Sequence, residues 1–328
     1  MSDHGLKTVE DVLDQAVGFW RSGILQAALD LHVADHIVAG HTTAEEVASA
    51  AEADPRAMRI LMDALCGLGF MDKVDGHYRL EPLVEQILPI LGRTAPLSLD
   101  KDAMATWTRL SDAVRLGFPL GAKDNYWERF AQTTREVARF QGAMAAQLVG
   151  DGGTVPKRVL DVGAGSGEIG FGLALADPSV TVTALDTESV LEIAGTNARE
   201  LGIADRVTLR ALDLVEAESF GAAEFDVAIV ANILHLFDAA TNRALLHKVA
   251  AALVPGGQIL IHEIMPDDER RRAAYPLMFA VELLLRTPAG TVYTLPEISA
   301  WLSEAEFSRP EVLSAMAYVV TLTAAKRR

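Results

Sequence analysis

The segment Arg158-Val159-Leu160-Asp161-Val162-Gly163-Ala164-Gly165-Ser166-Gly167 decides the fold of this chain. A short apolar run leads directly into a loop in which every second residue is glycine. Such a run predicts a buried strand, and glycines let the backbone turn tightly against a ligand. The segment therefore predicts a strand, loop and helix unit that binds a nucleoside.

Apolar runs and helical patterns alternate after this segment. The helical pattern Ala239–Leu253 comes between the last two runs. This alternation predicts an α/β fold with a doubly wound parallel sheet, in which ligands bind beyond the carboxyl ends of the strands. The strand candidates are Arg158–Val162, Val180–Leu185, Val207–Ala211, Phe225–Ala231 and Gln258–His262.

The N-terminal part predicts helices followed by a hairpin, which is the order of a winged helix. The signals are a helical pattern over 9–38, a capping box at Thr43 and Glu46, an N-cap at Asp54, and an Asp75-Gly76 turn between Phe70–Val74 and His77–Leu80. Winged helices often bind DNA. Residues 42–91, however, contain four basic and nine acidic residues, a net charge of −5. The charge favours protein docking over nucleic-acid binding.

Composition limits the function further. The 328 residues contain 29 Lys and Arg against 45 Asp and Glu, so the formal net charge is −16. This charge repels nucleic acid and anionic membrane surfaces. A single cysteine, Cys66, excludes an intrachain disulfide, and the first residues show no signal-peptide pattern. We expect a cytoplasmic protein without a transmembrane segment.

Three carboxylates follow the first three strands of the predicted sheet. Asp161 ends the first strand, Asp186 ends the second, 19 residues after Gly167, and Asp213 follows the third. Asp186 is placed to accept hydrogen bonds from ribose hydroxyls, and Asp213 from an adenine amino group. Asp161 would repel a pyrophosphate but favour an ammonium and a sulfonium. These residues favour S-adenosylmethionine (SAM), although Gly165-x-Gly167-x-x-Gly170 also satisfies the dinucleotide pattern of a nicotinamide dehydrogenase.

Together with these motifs, Asn232-Ile233-Leu234-His235-Leu236-Phe237 resembles the SAM-dependent small-molecule O-methyltransferases, the group of caffeic acid O-methyltransferase and bacterial natural-product enzymes. The resemblance implies a Rossmann-like catalytic domain at 154–328 with a seven-stranded sheet, whose last two strands lie in 310–326. It also implies a mostly helical winged-helix dimerisation domain at 1–100, linking helices at 101–153, and a homodimer. Candidate cofactor-binding residues are Asp161, Gly163, Gly165, Gly167, Asp186, Asp213, Leu214 and Asn232.

His235 and Glu263 are the candidate catalytic residues. His235 follows the fourth strand and Glu263 ends the fifth, so both side chains can face one crevice. Histidine suits removal of a proton from an acceptor hydroxyl near neutral pH, and Glu263 could fix its tautomer. The resemblance implies the same roles. The chain has Leu236 and Val292 where the family has further acidic residues.

The acceptor is expected to be a flat, largely apolar molecule such as an aromatic or polyketide-like compound. The candidate acceptor-binding residues are Trp107, Trp127, Phe140, Met144, Phe279 and Glu282. His32 and His36 have metal-ligand spacing without a third ligand, so no metal is expected. Four alternatives stay open: methylation of carbon or nitrogen by positioning alone, a cofactor-binding enzyme that transfers no methyl group, a cofactor-sensing regulator, and a nicotinamide oxidoreductase.

Overall fold

The computed structural model describes residues 8–86, 101–117, 119, 126–150, 158–316 and 319–327. The chain divides into two compact units, Met1–Met104 and Ala105–Arg328. From Ala105 onward, the segment predicted as linking helices therefore belongs to the second unit. None of the helices in the described ranges is long and apolar enough to cross a membrane.

The first unit is a small helical bundle with one hairpin. Its elements are α1 (Val9–Ala16), α2 (Gly18–Asp30), α3 (Val33–Val38), α4 (Ala44–Ala50), α5 (Pro55–Gly67), β1 (Met71–Val74) and β2 (His77–Leu80). The helical pattern over 9–38 is thus divided into three helices. The second break falls at His32, which has a left-handed backbone with φ of 51°. Val47, Met58 and Tyr78 are buried in the core of this unit.

Local signals placed the later elements of this unit correctly. Thr43 and Glu46 form the capping box of α4, and the Asp54 carboxylate accepts from the Ala57 N–H at the start of α5. Asp75 and Gly76, with φ of 50° and 82°, join β1 to β2. Positive φ at both turn residues is what a two-residue hairpin loop of the common type requires.

Helices and strands alternate through the second unit, as predicted. Helix α6 (Lys101–Trp107) contains the division between the two units, which falls between Met104 and Ala105. The further helices are α7 (Leu110–Leu116), α8 (Tyr126–Thr133), α9 (Arg135–Gly150), α10 (Glu168–Ala176), α11 (Glu188–Glu200), α12 (Ala239–Ala252), α13 (Ala274–Arg286) and α14 (Leu295–Glu304). The strands are β3 (Arg158–Val162), β4 (Thr181–Asp186), β5 (Val207–Ala211), β6 (Phe225–Ala231), β7 (Leu253–Ile264), β8 (Glu311–Met316) and β9 (Val319–Ala325).

These strands form one seven-stranded sheet in the order β5-β4-β3-β6-β7-β9-β8. β3 to β7 run parallel, β9 is antiparallel to β7, and β8 is antiparallel to β9. Buried apolar side chains cover both faces of the sheet. The predicted α/β fold with a doubly wound sheet and a helical N-terminal unit is confirmed, and the carboxyl ends of β3, β4, β6 and β7 meet at one edge.

Helices α9 and α10 touch backbone to backbone on one face of the sheet. A Cβ added to Gly172 would lie 2.4 Å from backbone atoms of Gly142. A Cβ added to Gly142 would lie 2.2 Å from the carbonyl oxygen of Glu168. Only glycine fits at these two positions, so the contact fixes α9 against the helix that follows the glycine loop.

We expect Gly172→Ala to destabilise the protein by roughly 1–3 kcal/mol, because the added methyl group forces α9 and α10 apart. Thermal unfolding followed by circular dichroism measures this. The control is Gly67→Ala at the exposed end of α5, where an added Cβ meets nothing within 4 Å. Equal melting temperatures for wild type and Gly172→Ala would contradict the close contact.

Candidate active site

The glycine loop between β3 and α10 has a backbone conformation that residues with a side chain rarely adopt. Gly163, Gly165 and Gly167 have φ of 69°, 56° and 80°. A Cβ on Gly163 would collide with the Ile233 side chain, and one on Gly167 with the Phe171 ring. Around Gly165 nothing lies within 4 Å of the Cβ position. The loop is therefore packed at both ends and faces open space at its centre.

Asp161 lies beneath this loop as a buried carboxylate. The residue is 2% exposed, and its Oδ2 accepts from the Gly170 N–H of α10 at 3.1 Å. Burial raises the pKa of Asp161 to about 7, and the nearby Asp186 carboxylate adds to the shift. A positive charge placed close to Asp161 would stabilise its ionised form.

Asp186 is held at the loop by backbone donors. Its Oδ2 accepts from the Gly165 N–H at 2.9 Å, and its Oδ1 accepts from the Thr187 N–H at 2.7 Å. Burial raises the pKa of Asp186, and the Glu128 carboxylate of α8 also raises it. The structure thus holds the Asp186 carboxylate directly against the glycine loop.

The other predicted cofactor residues lie on the loops that follow β5 and β6. Asp213 is exposed, and its carboxylate accepts from the backbone N–H groups of Val215 and Glu216 at 2.7 and 3.1 Å. These local bonds are those of a turn. Leu214 approaches Gly163 beside Ile233. Asn232 has a left-handed backbone, with φ of 56°, and its N–H donates to the His262 carbonyl at 2.8 Å.

The charged groups at this edge of the sheet fit SAM better than a dinucleotide. The loop faces open space at Gly165, and two carboxylates lie next to it. Arg135 and Arg139 of α9 also lie near the loop, but both are paired with Glu168, at 2.7 and 3.0 Å. They are therefore not free to neutralise a pyrophosphate. A nucleoside that itself carries positive charge suits these groups.

His235 and Glu263 form a buried pair at the same edge of the sheet. The distance from His235 Nδ1 to Glu263 Oε1 is 2.5 Å, and the residues are 5% and 1% exposed. The same carboxylate oxygen accepts from the Ile264 N–H at 3.1 Å. The second oxygen, Oε2, is buried and has no hydrogen-bond partner among the described residues. The predicted pairing of these side chains is present in the structure.

The turn that carries His235, Leu234–Leu236, is braced from two sides. Asn242 of α12 donates its Nδ2 to the carbonyl oxygens of Leu234 and Phe237 at 2.8 and 3.2 Å. The Tyr293 hydroxyl donates to the Phe237 carbonyl at 2.7 Å. Sequence reasoning missed both residues. An amide on the apolar face of α12 was the available signal for Asn242, since buried polar groups need partners.

Aromatic rings of α13 extend from His235. The Phe279 ring meets the imidazole edge to face, with centroids 5.0 Å apart. Tyr275, one turn earlier, stacks parallel to Phe279 with centroids 6.4 Å apart. Phe279 is therefore the candidate acceptor residue that the structure places against His235.

Glu282 lies further along the same helix and is already paired. Its carboxylate accepts from Trp107 Nε1 at 2.6 Å and from Arg286 Nε at 2.7 Å. The Arg286 guanidinium lies 5.2 Å from the centre of the Tyr126 ring. Glu282 therefore joins α13 to the linking helices and is not the partner of His235.

Among the described residues, the remaining acceptor candidates make no ring contact or hydrogen bond with His235. Trp127 packs edge to face against Tyr126, with centroids 5.0 Å apart. Phe140 of α9 is 61% exposed. Met144 lines a small cavity with His262. Since His262 and Glu263 point to opposite faces of β7, the structure does not bring Met144 to the His235 pair.

This chain is similar to known methyltransferases in sequence and in structure. The 8-O-methyltransferase of tetracenomycin polyketide synthesis from Streptomyces glaucescens is 29% identical over 91% of both chains. A solved structure from Nostoc punctiforme, assigned to the O-methyltransferases, is 28% identical, has a TM-score of 0.88 and covers 98% of this chain and 100% of its own. Human N-acetylserotonin methyltransferase, solved in complex with SAM, shares the fold at 21% identity, with a TM-score of 0.81 and all of both chains covered.

Two family models match separate parts of the chain. Residues 13–88 match the O-methyltransferase dimerisation domain, and residues 121–308 match the O-methyltransferase domain. The second match contains the glycine loop, the three strand-end aspartates and the buried His235 and Glu263 pair. The chain therefore belongs to the O-methyltransferase family of SAM-dependent enzymes.

Proposed function

We propose that this enzyme transfers the methyl group of SAM to a hydroxyl of an aromatic or polyketide-like small molecule, with His235 as the general base. The observation that carries the proposal is the buried pair of His235 and Glu263, whose Nδ1 and Oε1 atoms are 2.5 Å apart. The pair lies beside the Phe279 ring at the carboxyl edge of the sheet. When bound, SAM supplies an electrophilic methyl group. The chain's own residues hold the acceptor and remove its proton.

His235 can accept the hydroxyl proton at Nε2, because Nδ1 is engaged by Glu263. With Nδ1 donating to the carboxylate, the neutral imidazole has its free lone pair on Nε2. Glu263 then fixes this tautomer and stabilises the imidazolium that forms. The Ile264 N–H holds the carboxylate oxygen in place, so the pair is oriented before an acceptor arrives.

For the cofactor, we assign the nucleoside to the glycine loop and Asp186, which contact one another. Leu214 and Ile233 approach the loop at Gly163 and would pack against the nucleoside. Asp161 provides negative charge for the amino and sulfonium groups. Asp213 and Asn232 stay predictions for cofactor contact.

For the acceptor, we assign a flat aromatic molecule to the side of His235 that Phe279 and Tyr275 form. Edge and face contacts between aromatic rings favour planar ligands there. One turn further along α13, Glu282 provides a carboxylate that already accepts a hydrogen bond from Trp107. Contacts of Trp127, Phe140 and Met144 with the acceptor stay predictions. The S. glaucescens relative, a polyketide methyltransferase, supports the same substrate class.

We expect His235→Ala to lower kcat for methyl transfer by roughly 10²–10⁴-fold, because the acceptor hydroxyl loses its base. SAM affinity should stay nearly unchanged, since the imidazole pairs with Glu263 and not with the glycine loop. The assay incubates the enzyme with SAM and a panel of phenols, catechols and hydroxyquinones, read by mass spectrometry for an added methyl group.

The control for this experiment is His247→Ala, an exposed histidine on α12. It should leave turnover unchanged. Glu263→Gln should lower kcat less than His235→Ala, because the imidazole keeps a hydrogen-bonding neighbour but loses the charge that stabilises its protonated form. Near-wild-type turnover of His235→Ala would remove the base from the mechanism and favour transfer by positioning, including transfer to carbon or nitrogen.

The buried Asp161 makes stability depend on pH. Its pKa is about 7 in the folded protein against about 3.9 for an unfolded Asp, so the folded state loses stability as pH rises from about 4 through 7. Asp161→Asn has no carboxyl group to ionise. We expect it to melt at a higher temperature than wild type at pH 8, in the absence of SAM, and the difference to shrink towards pH 5.

Melting curves between pH 5 and pH 8 test this expectation. The exposed Asp205→Asn serves as the control and should follow the wild-type curve. A difference between wild type and Asp161→Asn that is the same at every pH would mean that the carboxyl group does not ionise in this range.

We infer that the chain forms a homodimer through its N-terminal unit. The dimerisation-domain model covers residues 13–88. Helices α1 and α2 expose large apolar side chains, among them Val9 at 71%, Phe19 at 67% and Trp20 at 59%. Such a patch is typical of a surface that another chain covers. The domain limits 1–100, 101–153 and 154–328, the lack of a nucleic-acid partner and a cytoplasmic location stay predictions.

Replacing both Phe19 and Trp20 with Asp should convert the dimer to a monomer, because two charges would be buried in the interface. Light scattering after size-exclusion chromatography measures the mass. Val312→Asp replaces an apolar residue of the second unit that is 43% exposed, and should leave the dimer intact. A dimer that survives the double substitution would place the interface elsewhere.

A further inference from the structure

Lys248 of α12 holds the loop that follows β5, residues 212–217, which we call the β5 loop. Its Nζ donates to the carbonyl oxygens of Leu214 and Val215 at 3.0 and 2.7 Å. The ammonium also lies 5.5 Å from the centre of the Phe220 ring, which is completely buried. One partly buried cation therefore fixes two consecutive backbone carbonyl groups of this loop.

The β5 loop adjoins both Asp186 and the glycine loop. The Leu212 N–H donates to the Asp186 carbonyl oxygen at 2.9 Å. The Leu214 side chain lies 3.4 Å from the position that a Cβ on Gly163 would take. The β5 loop therefore forms one side of the place assigned above to the nucleoside of SAM.

Asn242 of the same helix holds the turn that carries His235. The Asn242 side chain donates to one carbonyl oxygen on each side of His235, and the residue is completely buried. Between Asn242 and Lys248, the helix is anchored in the core by the buried Leu245 and Leu246. One anchored helix thus contacts the backbone on the cofactor side and on the base side of the site.

We propose that α12 positions the two halves of the active site separately, with Lys248 holding the β5 loop for SAM and Asn242 holding His235 for the methyl acceptor. Six residues, about 9 Å along the helix axis, separate the two side chains, so α12 sets the spacing between cofactor and base. The inference rests on the proposed function: its Lys248 part needs SAM at the glycine loop, and its Asn242 part needs His235 as the base.

The two side chains act on different quantities. Without Lys248 the β5 loop occupies several positions, and the Kd for SAM rises by the inverse of the fraction that is competent to bind. Without Asn242 the turn loses a buried donor and the imidazole is no longer held towards the acceptor hydroxyl, so kcat falls. A general loss of structure would change both quantities together.

Lys248→Met tests the cofactor side, because it keeps most of the aliphatic stem and removes the ammonium. We expect the Kd values of SAM and of S-adenosylhomocysteine each to rise about tenfold, as for loss of one charge-assisted hydrogen bond. Their ratio should not change, since both molecules contain the same nucleoside. Lys248→Arg keeps the charge and the donors and should bind SAM nearly as wild type does. Isothermal titration measures these constants.

Arg243→Met is the matched control on the same helix. Arg243 also lies over an aromatic ring, 5.6 Å from the centre of Trp301, but it donates to the exposed Glu304 of α14 at 2.9 Å. Its loss should change neither the SAM Kd nor kcat. Unchanged SAM binding in Lys248→Met, or equal weakening in Arg243→Met, would overturn the cofactor half of the proposal.

Asn242→Leu tests the base side, because it keeps the side-chain volume and removes the donor. We expect kcat at saturating SAM to fall about tenfold while the SAM Kd stays nearly unchanged. In the His235→Ala background the same substitution should lower kcat no further, since no imidazole remains to be positioned. Asn242→Ser, which leaves a small polar side chain, gives the same test if the leucine variant does not fold.

The His235→Ala background also separates this inference from the proposed base. If His235→Ala lowers kcat as expected, a wild-type kcat in Asn242→Leu, or an equal loss from Asn242→Leu with and without His235, would overturn the positioning role of Asn242. Near-wild-type kcat of His235→Ala would instead overturn the proposed base and the Asn242 part with it. The Lys248 part would then still be decided by the two Kd values.

Discussion

The parallel pairing of β3 with β4 on one side and β6 on the other is the constraint on which the rest of the structure depends. The register sets Asp161 opposite Ala184 and Ile229, so the three strands end together. Because β7 pairs in parallel with β6, its end joins the same edge. One backbone arrangement thereby gathers the glycine loop, two acidic side chains and the imidazole pair, although these groups come from distant parts of the chain.

Much of this arrangement was readable from the sequence because its signals are local. β5 and β6 have the predicted bounds, and β6 is an apolar run that ends where the polar Asn232 begins the loop. The caps at Thr43 and Asp54 depend on spacings of three residues. The His235 and Glu263 pair could be predicted because the fold itself brings the ends of neighbouring parallel strands together.

What the sequence did not reveal depends on contacts between distant residues whose partners have no fixed spacing. Nothing near Glu282 indicates that Trp107, 175 residues earlier, is its partner. The burial of Glu168 could not be predicted, because an acidic residue at a helix start is usually solvated and its burial here depends on where α9 packs. Asp213 shows the opposite case, since its local turn bonds agree equally with a structural and a ligand-binding role.

The position of β9 has a consequence for how the molecule reaches its final form. β9 follows β8 in the chain but lies between β7 and β8 in the sheet, with Val320 opposite Glu263. Until residues 319–325 are in place, β7 is an open edge and β8 has no strand to pair with. During synthesis, β3 to β7 can pair with one another before β8 and β9 complete the sheet. Before β9 pairs, one edge of β7 therefore exposes unpaired backbone N–H and C=O groups, and such an edge can pair with another chain.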